Sequence, residues 1–429
     1  MNYAVVGSGI SGLSVSALLR QRGHSISLFE GRNIGGLVSC SIEQGSLFHR
    51  VGGHVFNSRN QRVLDWFWSF FDKEEEFLSA SRRAVIAIGS SFVDYPIELN
   101  LHQLSRSLSN NVVEELVELA SVSEENQGFG PGNFRDFLLD TFGATLCDIY
   151  FFKYNAKIWQ RDLETMSLDW LDGKLPMATP LEIIRSNIVG SKDSMVHSTF
   201  FYPKCGGSQF IANRLSSGVN VIRHNVDSIQ LLCDDALGIN ESDVAYAGIF
   251  YTGDIRNLKS LLSDSLLARI NLGEDCWKGI SLLSSNPTTT MLCECDANEY
   301  SWVYLPGDDT AIHRIIMTGN FSPENNGPRI PPSRITCTIE HSGYLSETEM
   351  EIEASKLPFN VKPLAYNFCD SSYIVHGHGT RDLVSRVVHE LAKANIYCVG
   401  RFAEWQYYNM DAAIEASMRL VDSVTPSKN

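Results

Sequence analysis

The first thirty residues constrain the fold of this chain more than any other segment. A β-branched run, YAVVG, leads into the glycine-rich turn GSGISG, a helical pattern, and a second strand, SISLFE, that ends in Glu30. Strand, glycine turn, helix, strand and acid occur in the order of a Rossmann dinucleotide-binding unit. In such a unit Gly7 turns the chain, Gly9 lets the backbone approach a pyrophosphate, and Gly12 allows the helix to pack closely on the strand. The segment therefore predicts an α/β fold that holds a dinucleotide.

Glu30 stands where such a fold places the acid that binds a ribose hydroxyl pair, and its carboxylate would repel a 2′-phosphate. The run that follows, GRNIGGLVS, combines a basic residue with a double glycine. It resembles the second pyrophosphate motif of FAD-binding proteins of the glutathione reductase and amine oxidase group, so FAD is favoured over NAD. The expected cofactor contacts in this part of the chain are Gly7, Gly9, Ile10, Ser11, Gly12, Glu30, Arg32, Gly35, Gly36 and Leu37.

The rest of the chain predicts a discontinuous domain organisation. Periodic apolar positions indicate a helical domain at 99–195. Short alternating runs broken by Gly, Pro, Asn and Asp indicate an antiparallel sheet domain at 76–98 and 256–389. Near the C-terminus, NIYCVGRF and DAAIEASMRLVDSV indicate a further strand, turn and helix that close the flavin site. The FAD-binding domain is therefore predicted to comprise residues 1–75, 200–255 and 390–425.

Composition excludes several other classes of protein. With 44% hydrophobic and 20% charged residues the chain is neither disordered nor fibrous, and its net charge of -15 is the wrong sign for a duplex nucleic-acid binder. Ten cysteines include no CxxC pair, so they are predicted to be reduced, and no metal is expected. No apolar run reaches the roughly 18 residues of a membrane span, and no targeting segment is evident. We expect a cytoplasmic protein, with a homo-oligomer left open.

Seven further segments carry a more specific pattern: GGHVF, VDYPIELN, NFRDFLLDTFG, KYNAKIW, FFYPKCGGSQFI, IHRIIMTGNFSP and GRFAEWQYYNMDAAI. In order and spacing they resemble the UDP-galactopyranose mutase family. Amine oxidases and protoporphyrinogen oxidase share the first dinucleotide motif and the general fold, but they lack counterparts of KYNAKIW and of GRFAEWQYYNMD. The expected architecture is thus a Rossmann-like FAD-binding domain with a helical insert and an antiparallel β-sheet domain.

The resemblance implies an enzyme, an isomerase that interconverts the pyranose and furanose forms of a nucleotide sugar. The implied substrates are UDP-galactopyranose and UDP-galactofuranose or a close relative, for polysaccharide biosynthesis. In the family, reduced FAD acts through its N5 atom on the anomeric carbon, expels the nucleoside diphosphate and forms a flavin–sugar adduct. The protein's share is to position the sugar, stabilise the diphosphate and keep the flavin reduced.

The resemblance also implies roles for residues on the substrate side. Arg314 falls on the arginine of a mobile loop that neutralises the diphosphate, and a bidentate guanidinium suits that task. Asn320 follows it at the family's spacing. The other implied substrate contacts are Tyr95 at the nucleotide end, Asn155 and Trp159 at the sugar, and Tyr304, Tyr373 and Tyr407 at the diphosphate and the galactose.

On the flavin side, the resemblance implies that Gly52, Gly53 and His54 form a loop against the flavin. With Arg314, Tyr373 and Tyr407, His54 completes the implied catalytic set. The remaining implied cofactor contacts are Gly400 and Arg401 beside the isoalloxazine, and Met410 and Asp411 at a helix start near the flavin tail.

Two positions depart from the family pattern at the diphosphate. The second diphosphate arginine of the family falls on Lys174, which keeps the charge but loses the guanidinium fork, with Arg185 as a spare candidate. Phe321 stands where eukaryotic members have a tyrosine, so one hydroxyl contact is lost. These changes leave open a changed affinity or substrate.

Two further departures concern the nucleobase and the reductant. Glu98 takes the position near the uracil; an ionised carboxylate cannot donate a hydrogen bond, so the base is left open. Arg82 matches an arginine that eukaryotic members use, with a nearby serine, to bind a nicotinamide reductant, but the serine position is Ala84. NADPH or another reductant is therefore possible.

Two other functions compete with the mutase. An amine-oxidase-like FAD-dependent oxidoreductase would explain the flavin motifs but leaves the arginine and the tyrosines without purpose. A noncatalytic nucleotide-sugar sensor gains weight from Lys174 and Phe321 and would bind ligand without turnover.

Overall fold

The computed structural model describes residues 1–123, 132–171, 178–189, 199–232 and 235–426. The strands are β1 (Asn2–Val6), β2 (Ser25–Phe29), β3 (Cys40–Glu43), β4 (Ser46–His49), β5 (Phe77–Ser81), β6 (Ala84–Ile88), β7 (Ser91–Asp94), β8 (Thr199–Pro203), β9 (Asn220–Ile222), β10 (Ile229–Leu231), β11 (Leu237–Ile239), β12 (Ile249–Tyr251), β13 (Ser285–Asp296), β14 (Trp302–Tyr304), β15 (Arg314–Ile316), β16 (Arg334–Ser342), β17 (Lys362–Ile374) and β18 (Ile396–Cys398). The helices are α1 (Ile10–Gln21), α2 (Gln61–Trp68), α3 (Lys73–Glu76), α4 (Arg106–Ser123), α5 (Phe134–Leu146), α6 (Phe152–Trp159), α7 (Pro180–Val189), α8 (Gly207–Leu215), α9 (Ile255–Leu261), α10 (Asp264–Arg269), α11 (Glu274–Ser281), α12 (Glu347–Ser355), α13 (Thr380–Lys393) and α14 (Met410–Val424).

A parallel sheet forms the base of the molecule. Within the described residues its strand order is β18-β12-β1-β2-β9, and every pair runs parallel. The strands read as apolar runs because helices cover the sheet, and Val5, Leu28 and Phe250 are fully buried. Helices α1 and α14 pack against each other on this sheet. The α/β class and the Rossmann-like unit predicted from the first thirty residues are confirmed.

A second sheet carries most of the remaining strands, in the order β17-β13-β16-β15-β14-β6-β7. Its neighbouring strands are antiparallel except β14 and β6, which pair in parallel. The predicted antiparallel sheet is therefore present, with one parallel pair that brings residues 84–88 beside 302–304.

Helices α4 to α7 form the helical insert. A π-helical turn at Cys147–Phe151 joins α5 to α6. The apolar residues of these helices share one buried cluster with the second sheet, in which Phe134 and Leu146 are completely inaccessible. The ring of Tyr154 packs against Tyr304, and that of Trp159 against Tyr373. Side chains of α6 therefore reach the face of the sheet.

Residues 255–281 differ from the sheet expected there. They form α9, α10 and α11, whose apolar side chains pack in the cluster of β12 and β18 rather than in the second sheet. The reason is local. Asp254 and Ser263 accept hydrogen bonds from the first turns of α9 and α10, so they act as N-caps. Ile255, Leu258 and Leu262 follow at helical spacing and are buried.

No helix in the described part of the chain is both long enough and apolar enough to cross a membrane.

Candidate active site

Glycines build a cradle between β1, α1 and the segment after β2. Gly7 has a φ of 98°, a left-handed value that glycine adopts without strain. A Cβ on Gly12 would come within 1.9 Å of the Gly7 carbonyl oxygen, whereas a Cβ on Gly9 would meet nothing within 4 Å. Gly9 and Gly35 are joined by a β-bridge. The α1 N-terminus is thus open beside Gly9, as a bound pyrophosphate requires. We call Gly7, Gly9, Gly12, Gly35 and Gly400 the glycine cradle.

Glu30 closes one end of the cradle. Its carboxylate accepts hydrogen bonds from Ser8 N at 2.9 Å, Ser8 Oγ at 2.6 Å and Arg32 N at 2.7 Å. The acid is therefore held at the carboxyl end of β2, in the position of a ribose-binding residue. Gly36 and Leu37 begin a short 3₁₀ turn beside it, and the side chain of Arg32 is exposed.

The C-terminal segment closes the cradle from the other side. Gly400 has a φ of 111°, and a Cβ on it would lie 2.7 Å from Ser11 Oγ. Met410 begins α14, with Asp411 in its first turn. Arg401 donates to the carbonyl oxygens of Ser372 at 3.1 Å and Tyr408 at 2.6 Å. Segments from both ends of the sequence thus meet around α1.

The second sheet places a row of side chains on one face. Residues directly opposite each other on neighbouring strands point to the same side of a sheet. The cross-strand partners run from β6 through β14, β15, β16 and β13 to β17. We call this set the sheet row: Ile86, Tyr304, Arg314, Glu340, Thr290 and Asn367.

Arg314 and Glu340 form the charged centre of the row. Arg314 Nη2 donates to Glu340 Oε1 at 2.7 Å and to the Tyr373 hydroxyl at 3.0 Å, and that hydroxyl donates to the same carboxylate. Nε2 of His313 lies 3.1 Å from Glu340 Oε1. Burial alone would raise the pKa of Glu340, but Arg314 outweighs it and holds the pKa well below its usual range. Burial lowers the pKa of His313 to about 4.

The loop Gly52–Gly53–His54 lies on this charged centre. Gly52 has a φ of 66°, and a Cβ on it would come 3.3 Å from Arg314 Nη2 and 3.4 Å from Glu340 Oε2, so glycine suits both the backbone conformation and the close approach. Nε2 of His54 is buried without a hydrogen-bond partner. Burial lowers the pKa of His54 to about 3, so the ring is neutral. An orphaned ring nitrogen and an open cradle both fit a bound dinucleotide cofactor.

Aromatic rings line the site next to Arg314. Tyr373 stacks on Tyr407 with ring centres 6.0 Å apart, and Trp159 packs edge-on against them at 6.4 and 6.2 Å. Trp159 Nε1 donates to Asn155 Oδ1 at 3.1 Å. The guanidinium of Arg401 lies 4.8 Å from the Tyr407 ring centre. The implied sugar-side residues and Arg401 are thus brought together.

A further group of residues lies at the other end of Tyr304. The Tyr304 ring is 5.1 Å from that of Tyr95, and Arg82 Nη2 donates to the Tyr304 hydroxyl at 2.5 Å. Glu98 follows in a 3₁₀ turn and is 3% exposed. Burial raises the pKa of Glu98 to about 7. At neutral pH this carboxyl is therefore partly protonated and can donate a hydrogen bond, which the sequence argument assumed it could not.

Not every expected contact joins this group. Asn320 Nδ2 donates to the carbonyl oxygens of Asn298 at 2.9 Å and Tyr300 at 2.7 Å, so its amide anchors a loop. Phe321 is 1% exposed and packs 5.0 Å from Trp302 in an aromatic cluster. Both follow β15 in the chain, and a Cβ on Gly53 would come 3.2 Å from the Phe321 ring. Arg185 is exposed on α7 and Lys174 lies outside the described residues.

The expected mobile loop around Arg314 is corrected by the structure. Arg314 is the first residue of β15, a central strand paired with both β14 and β16. Its cross-strand partners are Tyr304 on β14 and Glu340 on β16, so Arg314 lies in a sheet and not in a loop.

Three residues of the site were missed in the sequence: Glu340, His313 and Tyr154. The Tyr154 ring is 5.3 Å from that of Tyr304. No local signal marked Glu340, because RITCTIEHS alternates apolar residues at 335, 337 and 339 with polar residues at 336, 338 and 340. Glu340 therefore stands on the polar face of the strand, which the structure shows to be buried as well.

Comparison with known proteins supports this description at two levels. A family profile described as an NAD(P)-binding Rossmann-like domain matches residues 5–73. The chain superposes on the crystal structure of reduced UDP-galactopyranose mutase with a TM-score of 0.85 at 19% identity, covering 100% of this chain and 96% of that chain. It superposes on the crystal structure of a putative protoporphyrinogen oxidase from Exiguobacterium with a TM-score of 0.72 at 14% identity, covering 99% of this chain and 98% of that chain. Superposition on a putrescine oxidase variant gives a TM-score of 0.65 at 14% identity, covering 99% of this chain and 99% of that chain. The fold and the glycine cradle define a protein with a Rossmann-like dinucleotide-binding domain.

Within that class the chain is similar to UDP-galactopyranose mutases. That of Mycoplasma pneumoniae is 30% identical over 119 residues, 27% of this chain and 29% of that protein. The probable UDP-galactopyranose mutase of Klebsiella pneumoniae is 24% identical over 162 residues, 37% of this chain and 41% of that protein. The matched segments span less than half of the curated relatives' length. The resemblance inferred from the sequence motifs is confirmed.

Proposed function

We propose that this protein is an FAD-dependent isomerase that interconverts the pyranose and furanose forms of a nucleotide sugar, UDP-galactose or a close relative. One observation carries the proposal: Arg314, a partly buried arginine, shares the Glu340 carboxylate with the Tyr373 hydroxyl. Tyr373 is one of three packed rings, Trp159, Tyr373 and Tyr407, which we call the aromatic wall. A guanidinium suits a diphosphate, and aromatic faces with amides suit a sugar. When bound and reduced, FAD would supply the nucleophile for the anomeric carbon.

In this proposal the residues of the chain bind, orient and exclude water. Arg314 neutralises the departing diphosphate, while Glu340 and Tyr373 keep its guanidinium aimed into the site. The neutral ring of His54 would contact the flavin from the loop that covers the sheet row. Trp159 and Tyr407 would hold the sugar.

The cofactor contacts are proposed from the same geometry. The glycine cradle with Ile10 and Ser11 would take the pyrophosphate at the α1 N-terminus. Glu30 would release Ser8 to bind a ribose. Arg401 and the start of α14 would complete the flavin end.

An amine-oxidase-like oxidoreductase is the second candidate, because flavin-dependent oxidases share the fold. The charges of the site argue against a cationic amine substrate. Arg401 lies over the Tyr407 ring and Arg82 beside Tyr304, where an ammonium group would be repelled.

The test is to incubate the purified protein with UDP-galactopyranose and with UDP-galactofuranose, oxidised and dithionite-reduced, and to separate the products by chromatography. Interconversion in the reduced state alone, without peroxide, is expected. Peroxide formation with an amine would favour the oxidase, and ligand binding without turnover would favour a sensor.

A matched pair of tyrosine variants on β17 ties the activity to the site. Tyr373→Phe removes the hydroxyl between Arg314 and Glu340, and we expect kcat/KM to fall about tenfold. Tyr366→Phe is the control, because Tyr366 donates to the Leu345 carbonyl at 2.7 Å outside the site. Equal activity of the two variants would contradict the proposed role of Tyr373.

A further inference from the structure

Arg82 is a cation without a carboxylate partner in the described part of the chain. It lies between β5 and β6, with its guanidinium carbon 4.9 Å from the ring centre of Trp302 and 5.2 Å from that of Tyr95. Nη2 donates to Tyr304, and Nε is buried with no hydrogen-bond partner. Among the ion pairs of the described residues, none involves Arg82. Withdrawing such a charge from water is costly unless an anion compensates it.

Arg82 faces the same site as Arg314. The two guanidiniums flank Tyr304, which is the cross-strand partner of Arg314 and the hydrogen-bond acceptor of Arg82. The charge of Arg314 is balanced by Glu340, and the ring of His313 is neutral. Of the three basic side chains around Tyr304, namely Arg82, His313 and Arg314, Arg82 therefore carries the positive charge that no described carboxylate balances.

We propose that Arg82 is the second cationic contact for the diphosphate of the substrate, beside Arg314. The inference rests on the proposed function. With Arg82 the site has a second guanidinium fork. The family resemblance associates this residue with the reductant. The other expected cation, Lys174, lies outside the described residues. A guanidinium already held by aromatic faces loses little freedom when it binds phosphate oxygens. A pyrophosphate is the shared chemistry of a nucleotide sugar and of a nicotinamide dinucleotide, so the test separates these sources.

The test compares Arg82→Gln with Arg83→Gln in the flavin-loaded, oxidised protein. Arg83 is the adjacent arginine, exposed and paired with Glu299. Calorimetric titrations use UDP, uridine and inorganic pyrophosphate. We expect Arg82→Gln to raise the Kd of UDP and of pyrophosphate about tenfold or more and to leave the Kd of uridine within about twofold. Arg83→Gln should leave all three within about twofold. Arg82→Lys, which keeps the charge without the fork, should fall between.

The outcomes separate the inference from the function it rests on. Unchanged UDP and pyrophosphate binding in Arg82→Gln would overturn the inference, and slower NADPH reduction of the flavin in that variant would then assign Arg82 to the reductant. If the wild type binds pyrophosphate through Arg82 but does not prefer UDP to pyrophosphate or convert UDP-galactose, the anion site stands and the proposed function fails. If Arg82→Gln does not fold or does not hold its flavin, the titration of Arg82→Lys decides alone. An Arg82→Lys variant that binds UDP and pyrophosphate as tightly as the wild type would then overturn the inference.

Discussion

The glycine cradle and the sheet row are built in opposite ways. Most of the cradle lies between Gly7 and Gly35, and its chemistry is that of backbone groups at a helix N-terminus. The row runs from Ile86 to Asn367, and its chemistry is that of side chains on six strands. A cradle made of backbone needs residues that are small. A row made of side chains needs residues that are paired.

This difference determines where each region is vulnerable. In the cradle, added volume does the harm, as the 1.9 Å approach of a Gly12 Cβ to a carbonyl oxygen illustrates. In the row, a lost partner does the harm, because Glu340 is 1% exposed and has no water to replace Arg314.

The largest effect is expected from Arg314→Gln, which leaves the Glu340 carboxylate buried without its cation. We expect a loss of about 3–5 kcal/mol in the free energy of unfolding, measured by urea denaturation at pH 7.5. Glu340→Gln should cost less, because the Arg314 side chain is 24% exposed and water can reach it. The stability that the lowered pKa of Glu340 contributes is fully present above its unfolded value of 4.5 and is lost as the pH falls below that value toward the folded pKa, so the deficit of Arg314→Gln should shrink only below about pH 4.5.

A smaller loss from Arg314→Gln than from Glu340→Gln would contradict this account of the row. The double variant supplies the control, because removing both partners leaves no buried unpaired charge and should recover part of the stability.

The second effect concerns the pH dependence caused by Glu98. Its folded pKa of about 7 is raised above the usual 4.5 by burial, so the folded state binds the proton more tightly. The stability it contributes is present below about pH 4.5 and is lost as the pH rises through 7. Between pH 5 and pH 8 we expect the wild type to lose about 2–3 kcal/mol relative to Glu98→Gln, in which this position does not titrate. If the free energies of unfolding of the two proteins change in parallel with pH, the pKa of Glu98 is not raised by burial.

The smallest effect separates two glycines of the cradle. Gly9→Ala should change the stability of the apoprotein by less than about 1 kcal/mol, because the added Cβ meets nothing within 4 Å. The same Cβ should block the approach of the pyrophosphate, so we expect the Kd of FAD to rise about tenfold. Gly12→Ala should destabilise the apoprotein by about 1–3 kcal/mol. Thermal unfolding of the apoproteins and fluorescence titration with FAD provide the two readouts. If Gly9→Ala binds FAD as tightly as the wild type, the FAD pyrophosphate does not bind against Gly9.

Local and long-range signals were not equally visible in the sequence. Asp254 and Ser263 were readable N-caps, yet the helices they begin were expected as sheet because short apolar runs suit either structure. Arg314 was found by its motif but assigned to a loop, since nothing in a single sequence states that 314–316 is a central strand. Asn320 stays a predicted substrate contact, and its amide nitrogen also donates to two backbone carbonyls of the segment between β13 and β14, which the sequence does not indicate.

The sequence by itself determined the parallel α/β unit, the cradle with Glu30, and most members of the aromatic wall, because each depends on residues close together in the chain or on a motif of several residues. Only the tertiary structure decided that Glu340 balances Arg314, that Arg82 faces the same site unbalanced, and that burial raises the pKa of Glu98. Pairing across strands and burial depend on register and packing, and both are set by contacts between residues far apart in the sequence.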